Sequence, residues 1–123
     1  MNKNKTNIIV IQCLYCPDKY QLERNFRSLE SLKYLEAPSF DQEEYRVEIY
    51  LYGYVKEKLQ HKHQKMVQSL EDKIHAIIYL RYLDNLGKAN VINNIIKSRI
   101  NTFFVDQYLL YLDSDIIIYI FQI

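Results

Sequence analysis

Ile8-Ile9-Val10-Ile11 is a run of four β-branched apolar residues, and a strand built from it has no polar face to turn toward water. Such a strand must lie inside a sheet with other elements covering both sides. The run therefore commits the chain to a layered fold that mixes strand with helix.

The next residues supply the covering layer. Pro17 marks a helix start, with Asp18 and Gln21 spaced as in a capping box. Leu22, Phe26, Leu29 and Leu32 follow at helical spacing, which predicts a helix over 18–36, broken at Ala37-Pro38-Ser39-Phe40. From Tyr45 to Val55 the residues Tyr45, Val47, Ile49 and Leu51 alternate with Arg46, Glu48, Tyr50 and Tyr52. That is a strand with one core face and one face of charges and phenols.

Helical patterning resumes at Lys56. Leu59, Met66, Leu70, Ile74, Ile77 and Ile78 form one stripe, Ser69 with Asp72 offers a mid-helix restart, and Gly87 suits a C′ position. Asn90 caps a further helix with Ile92, Ile95, Ile96 and Ile100 buried. Residues 108–112, the turn Asp113-Ser114-Asp115 and residues 116–121 read as a hairpin. The expectation is one globular domain over 1–123, α+β (mixed α/β), with about four strands in one sheet in the order β-α-β-α-α-β-β. The first and last strands are placed centrally and helices pack on the sheet.

Composition narrows the function classes. Ile, Asn, Lys and Tyr supply 48 of the 123 residues, whereas Gly, Ala and Pro supply seven. The first group has AT-rich codons and the second GC-rich ones. The bias therefore points to an AT-rich genome, such as that of a virus, phage or mobile element, and the twelve tyrosines are not in themselves a functional signal. With only Gly53 and Gly87 present, neither a dinucleotide fingerprint nor a P-loop can be built, and no nucleotide cofactor is expected. The Gly-x-Ser-x-Gly elbow is absent as well. No metal and no membrane partner are expected. The short apolar runs near both ends are far below the roughly 20 residues of a membrane helix, and no signal-peptide pattern is present. The chain reads as cytoplasmic or intracellular, and soluble.

Three constellations remain. Tyr50, Tyr52 and Tyr54 share one strand face beside Arg46 and Glu48, and aromatics rimmed by charge suit a protein interface. This gives the leading expectation: a non-enzymatic binding or accessory protein acting on a protein partner or on itself. The region 61–101 holds seven basic and three acidic side chains. Lys88, Asn93, Lys97 and Asn101 there would meet phosphates and base edges in a nucleic-acid-binding regulator. Within it, Tyr82 to Ile100 resembles the helical half of ribbon-helix-helix DNA-binding proteins. The likeness spans 19 of the 123 residues and lacks the preceding strand, so the chain is not assigned to that family. Finally, Cys13-Leu14-Tyr15-Cys16-Pro17 stands between strand and helix, where a redox or metal-binding thiol pair would stand. Of the three histidines, His61 and His63 diverge on a helix, and His63 falls on the apolar stripe as a packing residue.

Overall fold

In the computed structural model, described over residues 6–32, 45–74, 76–84, 87–99 and 107–112, strand and helix alternate strictly. Strand β1 spans Thr6–Cys16, helix α1 Lys19–Glu30 and strand β2 Tyr45–Val55. Helix α2 (Glu57–Ile74), strand β3 (Ile77–Tyr82), helix α3 (Lys88–Arg99) and strand β4 (Gln107–Tyr111) follow.

These strands form a sheet of order β3-β2-β1-β4 in which every pair is parallel. β1 pairs with β2 from Thr6↔Tyr45 to Cys16↔Val55, and with β4 from Asn7↔Gln107 to Ile11↔Tyr111. β2 pairs with β3 from Glu48↔Ile77 to Gly53↔Tyr82. The β-branched run thus occupies a central strand, as its lack of a polar face requires.

Each face of the sheet has its own core, and strand parity decides which residue enters which. Ile8, Val10, Leu14 and Cys16 of β1 join Ile49, Leu51 and Val55 of β2 against α1 (Leu22, Leu29) and α2 (Val67, Leu70, Ile74). The other parity set, Ile9 and Ile11 with Tyr50 and Tyr52, packs against Val91 and Ile95 of α3. Two helices on one face and one on the other follow from right-handed crossovers. The walk β1→β2→β3 runs one way across the sheet, and the step to β4 returns past β1 to the opposite side.

Three local features hold these elements. Asp18 caps α1, its Oδ1 accepting the Gln21 backbone N–H at 2.8 Å. Gly53 interrupts β2 with φ +146°, and a Cβ there would collide with the Leu14 carbonyl across the ladder. Between β1 and α1 the buried Gln12 donates through Nε2 to the Asn25 carbonyl at 3.0 Å.

The mixed α/β expectation agrees with this architecture, but the element order does not. The helix read from Lys56 onward ends at Ile74, and Ile77–Tyr82, expected to continue it, is β3. Ile74, Ile77 and Ile78 satisfy a helical stripe, yet 77–82 is β-branched and aromatic, and its exposure alternates residue by residue. The likeness to a ribbon-helix-helix half ends with it, since Tyr82 closes a strand rather than opening a helix. β2 matches the expected 45–55, but its phenol face is a second core rather than a surface. The expected 18–36 helix starts as read, with Asp18 as its cap, but α1 ends at Glu30; residues 33–36 and the hairpin residues 113–121 lie outside the described residues. No helix among the described residues is long and apolar enough to cross a membrane.

Candidate ligand crevice at the strand ends

In an open parallel sheet, the connections leaving two neighbouring strands normally turn to the same face and close over the strand ends. Where the strand order reverses they turn to opposite faces, and a crevice opens outside the carboxyl ends. Here that point lies between β1 and β4. α1 leaves β1 toward one face, while α3 covers the other and feeds β4.

The strand lengths deepen the crevice. β4 pairs only as far as Tyr111 opposite Ile11, and the Leu112 N–H donates to the Ile11 carbonyl at 2.8 Å. β1 runs on to Cys16, so Gln12 to Cys16 have a strand neighbour on the β2 side alone among the described residues.

On the α3 face this overhang carries Cys13 and Tyr15. Tyr15 is 49% exposed, and its ring lies 6.3 Å from that of Tyr54. The first turn of α3 closes the crevice, with the Cys13 Sγ 3.9 Å from the Lys88 carbonyl and the Lys88 Nζ 4.7 Å from the centre of the Tyr111 ring. Lysine is the wrong charge for the first turn of a helix, where the exposed N–H groups already make the potential positive. α3 has no acidic residue in that turn. Lys88 and the helix terminus therefore add at one place, and the sum favours an anion. The α1 terminus differs, because Asp18 occupies its amides and contributes negative charge.

After Leu112 the sequence reads Asp113-Ser114-Asp115, which lies outside the described residues. Among the described residues no group of three or more metal-ligating side chains converges.

The sequence candidates fall in several places. Cys13 and Cys16 stand on opposite faces of β1, three residues apart, so the strand register does not bring the thiols together. Burial pushes the Cys16 thiol up to about 12, far from thiolate chemistry at neutral pH.

Tyr50 and Tyr52 are 4% and 9% exposed, under α3, and cannot form an interface centre in this fold. Tyr54 is half-buried. Glu48 is buried, with the Tyr79 hydroxyl 3.5 Å from its Oε1. The Arg46 side chain and Asn101 lie outside the described ones.

Lys88, Asn93 and Lys97 are exposed along α3. The basic 61–101 region is nonetheless not one surface, since α2 and α3 lie on opposite faces of the sheet. Of its histidines, His61 is exposed. His63 is buried as a packing residue, and burial pulls its pKa down to about 4.

A groove of about 300 Å³ between α1 and α2, lined by Phe26, Met66, Leu70, Lys65 and Lys73, opens toward the amino ends of the strands, away from the crevice. Sequence reasoning missed Tyr15, whose ring meets that of Tyr54, and the pairing of Lys88 with Tyr111, because residues 39 and 23 positions apart on different elements meet only through topology. Against protein-family models, curated proteins and solved structures, the chain finds no match.

Proposed function

We infer that the chain binds a small phosphorylated ligand, of the diphosphate class, in the crevice between the carboxyl ends of β1 and β4. The observation that carries the reading is the reversal of strand order at β1, together with the five-residue overhang of β1 past β4. Lys88 and the α3 amides supply positive potential on one side. Tyr15 and Tyr54 offer a flat surface on which a ring could lie. The shortage of glycine fits this division of labour. A chain that cannot wrap a glycine loop around phosphate can hold it through a helix terminus and a lysine.

Calorimetry with inorganic pyrophosphate tests the reading. Binding is expected at millimolar pyrophosphate or tighter, and Lys88→Glu is expected to weaken it at least tenfold. Absence of binding at millimolar pyrophosphate contradicts it.

A further inference from the structure

β3 ends the sheet opposite β4, and no strand among the described residues pairs with its outer side. The Leu83 N–H donates to the Gly53 carbonyl, so odd-numbered residues direct their backbone groups to β2. By strand alternation, Ile78, Leu80 and Tyr82 direct theirs outward. The side chains alternate too. Ile78, Leu80 and Tyr82 pack toward the α2 core, whereas Ile77 (40% exposed), Tyr79 (38%) and Arg81 lie on the α3 face, beyond the α3 core. An edge strand that shows apolar side chains, with no strand partner for its outer amides among the described residues, is a pairing template.

We propose that the β3 edge is a self-association surface, pairing antiparallel with β3 of a second copy about a two-fold axis through Tyr79. An isologous contact must be complementary to itself, and this register is. Outward-facing Ile78 falls opposite Leu80 of the second copy, and the reverse, so the amides pair on both sides of the axis. Tyr79 faces its own copy as a close, non-hydrogen-bonded pair. Tyr79 already stacks on Tyr50 at 4.8 Å and 17°, so the axis extends a two-ring stack into four. Arg81 falls opposite Ile77 of the second copy, whose neighbour on β2 is Glu48. The guanidinium thus reaches over an apolar residue toward a carboxylate, twice per dimer. The opposite charges select a second copy over an arbitrary strand. The contact area is that of a single strand pair, which suits a transient dimer rather than an obligate one.

Sedimentation of the full chain over a concentration series, with cysteine cross-linking, tests the register. Close antiparallel pairs stand about 4.5 Å apart at Cα, within disulfide range. With Cys13 and Cys16 changed to Ser, Tyr79→Cys is expected to give a covalent dimer under mild oxidation. Ile77→Cys and Tyr20→Cys are not, while the pair Ile77→Cys with Arg81→Cys is. In the wild-type background Arg81→Glu is expected to lower dimerisation at least tenfold. A chain that stays monomeric to millimolar concentration overturns the proposal, as does cross-linking no better at position 79 than at position 20. Neither result touches the crevice reading, which rests on the other end of the sheet and is read by ligand binding.

Discussion

The imidazole Nδ1 of His63 lies 2.8 Å from the Tyr82 hydroxyl, which also lies 3.2 Å from the Gln60 carbonyl. With the phenol proton on that carbonyl, His63 donates from Nδ1–H. Burial pulls its pKa down to about 4, from 6.5. The unfolded chain takes up the proton first, so this contribution is complete above about pH 6.5 and is lost as pH falls toward 4. The loss approaches about 3 kcal/mol at one proton's slope. Denaturant melts between pH 7 and 4 are expected to show it, and His63→Leu to remove that part of the slope.

The thiols are expected to differ in access rather than to act as a pair. Cys13 is half-buried and Cys16 fully buried. An aromatic disulfide reagent is expected to titrate one thiol per native chain quickly and the second only in denaturant. Equal native rates, or an intramolecular Cys13–Cys16 disulfide, would contradict the β1 register.

Gly53 is expected to tolerate no side chain. Gly53→Ala combines an unfavourable positive φ with a collision against the backbone of Leu14, in a strand that cannot shift without disturbing both neighbours. A loss above about 3 kcal/mol in denaturant melts is expected.

Tyr50→Ala with Tyr52→Ala is expected to lower folding stability by several kcal/mol, because both rings lie under α3 and leave a cavity when removed. Unchanged stability would return the row to the surface.

The sequence disclosed what local chemistry decides. The two-sided burial of Ile8 to Ile11, the Asp18 cap and the bounds of β2 all follow from neighbours in the chain. β3 was hidden because five of its six residues are apolar or aromatic, so a period of two and a period of 3.6 fit equally well. Missing one strand turned a parallel α/β sheet into an apparent α+β order, and with it the reversal of strand order disappeared. The crevice was illegible for the same reason. Cys13, Lys88 and Tyr111 carry no motif between them, and only the return of the chain past β1 brings them together.

Amide chemical-shift mapping during a titration with pyrophosphate tests the central claim most directly. The account expects the largest shifts at Cys13 to Asp18 and at Lys88 to Asn90, the two segments that bound the β1–β4 crevice. Shifts concentrated instead along Lys62, Lys65 and Lys73 of α2, with the crevice amides unmoved, would contradict it.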